Sequence, residues 1–426
     1  MKNKAPRGTR DVLPADMPAW HYLENVFQKL CHVYGYSEIR TPIFEDVEVF
    51  TRSVGEESDV VAKEMYTFTD RGGRHLALRP ECTAGVARAF IEHGFHNQPQ
   101  PVKLYYLGPM FRYDRPQAGR QRQFYQMGIE LFGSTAPAAD VEVIKFTYDF
   151  FRQVGFDRLE LHINSVGCRS CRPTYQEQLK TAIQPFASKL CADCRKRLET
   201  NPLRLLDCKS PGCQEASTDA PKIDQSLCQP CQSHYQEVKS KLDLLGIDYK
   251  PDPYLVRGLD YYTHTAFEFV STKLGTQSSL GGGGRYDNLV EVCGGNPTPG
   301  VGMAVGVERI LLAMGKEGIS LPATGLEGVY VAAGTSALQE EGTKLLYRLR
   351  GAGIRAETDY MGRSLKSMMK NAHRGRFRYV VILDQETEDQ GTWKIRDMGS
   401  GEQQKYPPGA AEQLLLDERE QDGALN

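Results

Sequence analysis

Apolar and polar positions from Met17 to Gly35 recur with a helical period, and the pattern predicts one helix there. Extended runs follow at SEIRTPIFE, residues 37–45, and at YTFTD, residues 66–70. Residues 111–130, FRYDRPQAGRQRQFYQMGIE, read as a hairpin whose second arm alternates. Successive side chains of a strand point to opposite faces, so Phe124, Gln126, Gly128 and Glu130 share one face and Tyr125, Met127, Ile129 and Leu131 the other. The second face is apolar, whereas the first carries polar groups around a glycine-sized gap. Such a face is either a wet sheet surface or the wall of a pocket. A helix over 138–155 and a strand at LELHIN, residues 159–164, come next.

The pattern changes at Val166. From Cys168 to about Asp248 the chain is polar, helical and cysteine-bearing, with amphipathic stretches at YQEQLKTAIQPF and YQEVKSKLDLL. Strand-rich, glycine-rich sequence resumes at YLVRGLDYYTHTAFEFVS, so the segment reads as an insertion. Pro and Gly punctuate residues 318–328, and beyond them strands GVYVAA, IRAETD and YVVIL alternate with helices, as in a small α/β domain. The expected organisation is a core in two parts, 1–166 and 251–322, an insertion at 167–250, and a further domain at 326–426.

A chain of 426 residues is long for one hydrophobic core, which agrees with several domains. Hydrophobic residues at 40% and charged residues at 25%, with no apolar run of membrane-spanning length, predict an ordinary globular protein with no membrane partner. The start, MKNKAPRGTRDVLP, lacks the apolar core of a secretory signal, so a cytoplasmic location is expected. A net charge of −2 leaves nucleic-acid binding to be decided by local patches.

Several constellations carry chemistry. In ALRPECTAG, Glu81 and Thr83 lie two apart and on an extended segment would face one side, where a carboxylate can meet an amine. Arg112, Arg115, Arg120 and Arg122 crowd the hairpin, where guanidiniums reach phosphate through forked hydrogen bonds. SLGGGGRYDNL holds four consecutive glycines that admit close backbone approach, or simply form a flexible loop. It lacks the spacing of a P-loop or a dinucleotide fingerprint. GVGMAVGVERI reads as extended chain entering a helix with Arg309 near its start, and RGLDYYTHTAFEF adds Arg257, Tyr261 and Tyr262.

Eight of the eleven cysteines fall between Cys168 and Cys231, three pairs of them as Cys-x-x-Cys and the fourth, Cys208 and Cys213, wider. Eight thiols make two four-sulfur structural zinc sites or stay reduced and partly buried, and the spacing leaves the pairing open. Finally, residues 361–378 hold six basic residues and no acidic one. Arg363, Lys366, Lys370 and Arg374 follow helical spacing, a stripe suited to phosphate contact.

These motifs together resemble the class II aminoacyl-tRNA synthetases and, within them, the histidyl-tRNA synthetases. The carriers are RGTRDVLP, FRYDRPQAGRQRQFYQMGIELFG, LVRGLDYYTHTAFEF and GVGMAVGVERI, and the likeness spans essentially the whole chain. The resemblance implies an α+β fold: an antiparallel sheet core with helices, a helical insertion, and a C-terminal α/β anticodon-binding domain. It implies a homodimer formed around Pro42, with ATP, L-histidine and tRNA(His) as substrates and Mg2+ as helper. Glu81 and Thr83 would hold the amino group of histidine, while Gln126, Glu130, Tyr261 and Tyr262 surround its imidazole. Phe124 and Arg309 would enclose adenine, Arg112 and Arg257 would meet the α-phosphate, and Arg120 the outer phosphates. Cys82 stands where the family commonly has glycine. The rival within the resemblance is the non-catalytic regulatory subunit of ATP phosphoribosyltransferase; outside it, a zinc-bearing RNA-binding protein.

Overall fold

The alternation at Val102–Phe111 and Gln123–Phe132 is that of two paired strands inside an eight-stranded sheet. The computed structural model describes residues 3–55, 58–277, 279–322 and 325–423. The chain divides into two units, Met1–Leu321 and Pro322–Asn426. In chain order the first carries strands β1 (Ser37–Glu38), β2 (Phe44–Asp46), β3 (Tyr66–Thr69), β4 (His75–Leu78), β5 (Val102–Phe111), β6 (Gln123–Phe132), β7 (Glu160–Ser165), β8 (Lys250–Pro251), β9 (Thr263–Val270), β10 (Ser279–Arg285) and β11 (Gly300–Gly306).

The large sheet runs β1-β5-β6-β11-β10-β9-β7-β8. Its ladders are antiparallel except at the two edges, where β1 joins β5 and β8 joins β7 in parallel. One face is apolar. Met127, Ile129 and Leu131 of β6 and Val301, Met303 and Val305 of β11 pack there against Trp20, Leu23 and Phe27 of helix Met17–Tyr34 and Val143, Phe146 and Phe150 of helix Pro137–Val154. Each such side chain contributes about 1.5–3 kcal/mol on burial, which fixes the register of β6 and turns its polar face the other way. The first helix ends where the pattern predicts, with Gly35 taking the left-handed conformation at φ 74°.

The run at 37–45 is not one strand. It splits around Pro42 into β1, in the large sheet, and β2, in a separate three-stranded sheet of order β2-β4-β3. Proline donates no backbone hydrogen bond and cannot continue a ladder. The four glycines form β10, near the centre of the large sheet, rather than a flexible loop.

Between β7 and β8 lie helices Arg172–Ile183, Ala192–Thr200 and Gln229–Leu244. The first two share a small core through Tyr175, Leu179, Ile183 and Leu198, whereas Tyr235, Val238 and Leu242 of the third join the main core. The second unit is a five-stranded sheet of order β13-β12-β14-β15-β16, built from β12 (Val329–Ala333), β13 (Ala356–Thr358), β14 (Tyr379–Leu383), β15 (Trp393–Asp397) and β16 (Gln403–Tyr406). Leu345 and Leu349 of helix Ser336–Gly351 pack with Val331, Val381 and Trp393 on one face. Met368 and Ala372 of helix Leu365–Arg374 pack with Tyr330 and Val380 on the other. Among the described residues no helix is long and apolar enough to cross a membrane.

Candidate active site

The polar face of β6 lines a cleft of about 490 Å³ in the first unit. Glu81, Thr83, Arg112, Arg120, Phe124, Gln126, Arg257, Tyr261, Tyr262 and Arg309, ten of the expected site residues, all open onto it. They come from four separate segments of the chain, which the sheet brings together. Glu130, the eleventh, stands one layer behind the wall: Thr83 Oγ1 donates to its Oε1 at 2.6 Å, and the Tyr286 hydroxyl donates to its Oε2.

Glu81 and Thr83 do not lie on an extended segment. Thr83 opens helix Thr83–Glu92, because the Glu81 carboxylate accepts the backbone N–H groups of Thr83 at 2.7 Å and Ala84 at 2.9 Å and satisfies two donors of the first turn. Burial raises the Glu81 carboxyl, and those two N–H groups offset part of the rise. Glu130 is 1% exposed, and burial pushes its carboxyl up to about 8; the Thr83 and Tyr286 hydroxyls lower it, and neighbouring Glu81 raises it again. Burial likewise raises Tyr261 and Tyr262, so both phenols keep their protons and can donate.

Cross-strand glycines make room for the long side chains. Gly302 of β11 pairs with Glu130, and a Cβ there would collide with the Glu130 carboxylate. Gly282 of β10 pairs with Glu268 of β9, and a Cβ there would come within 3.1 Å of the Arg257 guanidinium. The gap at Gly128, however, is not space for a ligand. Tyr106 lies opposite on β5 and its hydroxyl fills the place a Cβ would take.

Four guanidiniums converge on the cleft. Arg112 Nε donates to the Pro80 carbonyl at 2.8 Å, and its guanidinium lies 5.4 Å from the centre of the Phe124 ring. Arg120 pairs with Asp114 at 3.1 Å, Arg257 with Glu268, and Arg309 donates to the Ser279 carbonyl at 2.8 Å. Burial depresses the Arg309 guanidinium, and the positive charges of Arg120, Arg257 and Arg112 depress it further. Like charges held together at a partly buried site favour an anion arriving between them. Two buried atoms lining the cleft, Gln126 Oε1 and Arg257 Nε, have no hydrogen-bond partner among the described residues. A buried polar atom left unpaired is costly, and a polar ligand would satisfy both.

Sequence reasoning did not assign Tyr106, Tyr286 or Glu268. Each acts by facing a site residue across or behind the sheet, and strand pairing of that kind leaves no local mark. Arg285, which follows the glycines, turns away from the cleft: it is fully buried, with Nε 3.0 Å from Asp140 Oδ2 and Nη1 3.0 Å from Asp287 Oδ1. In the second unit, Lys366, Lys370 and Arg374 are exposed along helix Leu365–Arg374. Arg363 precedes that helix, since Ser364 caps it with extended backbone, and it pairs at 3.3 Å with Asp359 from just outside the basic stretch.

Known proteins show the same two-part layout. The sequence profile described as histidyl-tRNA synthetase matches residues 8–310, and that described as anticodon binding domain matches residues 328–418. The chain is 53% identical over 403 residues to the histidine–tRNA ligase of Pelotomaculum thermopropionicum, covering 95% of each chain. It is 53% identical over 405 residues to that of Desulforamulus reducens, covering 95% of this chain and 97% of the relative. The crystal structure of apo S. aureus histidyl-tRNA synthetase superimposes with a TM-score of 0.83 at 38% identity, over 97% of this chain and all of that one. With that identity along the full length, and with three of the four motifs gathered around one cationic cleft, the chain belongs to the histidyl-tRNA synthetase family.

Proposed function

We infer that the protein is a histidine–tRNA ligase, a class II aminoacyl-tRNA synthetase. It activates histidine with ATP and transfers the histidyl group to the 3′ end of tRNA(His). The observation that carries the reading is the cluster of Arg112, Arg120, Arg257 and Arg309 in the cleft that Glu130 backs. The regulatory-subunit alternative is disfavoured, because relatives matching along the whole chain are named ligases and residues 328–418 match an anticodon-binding profile.

In the first step a carboxylate oxygen of histidine bonds to the α-phosphorus of ATP while the bond to the β-phosphate bridge breaks and pyrophosphate leaves. In the second, the terminal ribose hydroxyl attacks the acyl carbon and AMP leaves. Both steps ask for alignment and for positive charge where phosphate oxygens gain negative charge. Arg112 and Arg257 supply that charge at the α-phosphate and Arg120 at the outer phosphates, while Phe124 and Arg309 enclose the adenine. Glu81 and Thr83 hold the amino group of histidine. Gln126, Tyr261 and Tyr262 close on the imidazole, and Glu130 reaches it once the Thr83 and Tyr286 hydroxyls yield. The nucleotide carries Mg2+, a hard cation that takes oxygen ligands. Glu64 and Asp114 line the cleft beside Arg112 and Arg120 and are the carboxylates suited to hold the ion, which would neutralise charge on the outer phosphates.

A homodimer finds support in the small sheet. Cross-strand partners share a face, and the pairs Phe44–Leu78, Tyr66–Leu78 and Phe68–Leu76 set one apolar face outward, with Phe44 54% and Phe68 43% exposed. Ala77, on the opposite face, is buried with Phe50.

Exchange of labelled pyrophosphate into ATP, dependent on histidine, tests the function. Arg257→Ala is expected to slow exchange roughly 100- to 1000-fold while histidine affinity falls by less than about tenfold. No histidine-dependent exchange by the unaltered protein would defeat the reading, and equal loss of both quantities in the variant would move Arg257 away from the phosphate.

A further inference from the structure

The eight cysteines of the insertion sort in space into two sets of four: Cys168, Cys171, Cys228 and Cys231, and Cys191, Cys194, Cys208 and Cys213. Within each set all sulfurs lie within 4.8 Å of one another. In the first set the separations are 3.8 Å for Cys168 and Cys171, 3.7 Å for Cys168 and Cys228, 3.7 Å for Cys171 and Cys231, and 3.4 Å for Cys228 and Cys231. In the second, Cys191 and Cys208 are 4.0 Å apart. A disulfide needs sulfurs at about 2.05 Å. Four thiolates around one zinc at about 2.3 Å stand about 3.8 Å apart, which is the spacing found.

The backbone adds a separate observation. Cys171, Cys191 and Cys228 each stand at the N-cap position of a helix, where the dipole favours a thiolate, and the Cys191 sulfur itself caps its helix. Backbone N–H groups also point at the sulfurs: Cys168 N to Cys171 Sγ at 3.3 Å, Ser170 N to Cys168 Sγ at 3.4 Å, Cys194 N to Cys191 Sγ at 3.4 Å and Cys191 N to Cys213 Sγ at 3.3 Å. These donors stabilise negative sulfur.

We propose that the insertion holds two structural zinc ions, one in each four-cysteine set, and that they brace the segment carrying Arg257, Tyr261 and Tyr262. Each site takes four thiols, releases their protons and leaves no position open for substrate. The site of Cys168, Cys171, Cys228 and Cys231 joins helices Arg172–Ile183 and Gln229–Leu244 of the insertion. Arg172, next to Cys171, donates to the carbonyls of Val166 at 3.1 Å and of Tyr262. The site of Cys191, Cys194, Cys208 and Cys213 brackets helix Ala192–Thr200 and the turn after it, which carries Arg204, whose Nη1 donates to the Arg257 carbonyl at 2.8 Å. Zinc in both sites therefore holds the main chain on either side of the histidine pocket. The metal content stands by itself, whereas the bracing rests on the active-site reading.

Elemental analysis of the full-length protein, purified without chelator, is expected to give two zinc per chain. The pairs Cys168→Ser/Cys228→Ser and Cys191→Ser/Cys208→Ser are each expected to keep one. Should a variant fail to fold, the unaltered protein titrated with a mercurial thiol reagent is expected to release two zinc to a colorimetric chelator. Less than two metal ions per chain, or iron in place of zinc, overturns the sites. Zinc-stripped protein is expected to lose pyrophosphate exchange at least tenfold and regain it with zinc. Full exchange without metal overturns the bracing while leaving the ligase reading intact.

Discussion

Glu130 shows what one buried carboxyl does to the molecule. In the folded chain it keeps its proton to about 8, whereas its ordinary value is 4.5, so between those values the folded state binds the extra proton. Its contribution to stability is complete below 4.5 and is lost as pH rises through about 8. The slope from one such proton reaches about 1.4 kcal/mol per pH unit at its steepest. Glu130→Gln keeps the shape and removes the titration. Urea unfolding without histidine is therefore expected to show a flatter pH profile over that interval in the variant. Parallel profiles for the two proteins would mean that Glu130 is ionised when folded. The period-two alternation of β6 made Phe124, Gln126 and Glu130 legible as one face, since one strand contains the whole signal. The meaning of Gly128 was not legible, because the Tyr106 that fills its gap belongs to the strand opposite.

At the scale of elements, the sequence marks most clearly those whose period runs long. Helix Met17–Tyr34 and strand β6 stand where the pattern puts them. The glycine run was ambiguous, because a strand without side chains has no alternation to read; only the flanking strands β9 and β11 make it one. The basic face of helix Leu365–Arg374 was legible, since Lys366, Lys370 and Arg374 are exposed, whereas of its apolar face the spacing marks Met368, and the small Ala372 beside it in the core left no signal. Arg363 departs from the basic face because the chain is still extended at Ser364, and its partner Asp359 precedes the basic stretch. If the three exposed cations contact tRNA phosphates, replacing all three by alanine lowers the slope of log affinity against log salt by roughly two to three. Filter binding of tRNA(His) over a salt series measures that slope. Pyrophosphate exchange, which needs no tRNA, is expected to stay at its original rate. An unchanged slope would leave the stripe as a solvated face.

At the scale of the whole molecule, the three-stranded sheet presents large apolar side chains outward, while its other face buries the small Ala77 with Phe50. Its apolar face, with Phe44 and Phe68 in edge contact at 6.4 Å between ring centres, points outward, while Glu45, on the other face, is ion-paired to Arg88. The proposed homodimer would give that arrangement a reason, since an exposed apolar face of this kind invites association. A second copy of the chain is the partner that satisfies it most simply, because a two-fold axis lets one patch complement itself. The same symmetry sharpens the test, as each substitution acts twice in a dimer. Burying a phenylalanine contributes about 1.5–3 kcal/mol, so Phe44→Glu with Phe68→Glu removes four such contributions. The double variant is expected to weaken self-association at least about a thousandfold, read by sedimentation equilibrium. Its far-ultraviolet circular dichroism is expected to stay that of the parent, because neither ring is buried within the chain. A parent protein that sediments as a monomer, or a double variant that still pairs as tightly, would assign that apolar face to something other than its own copy.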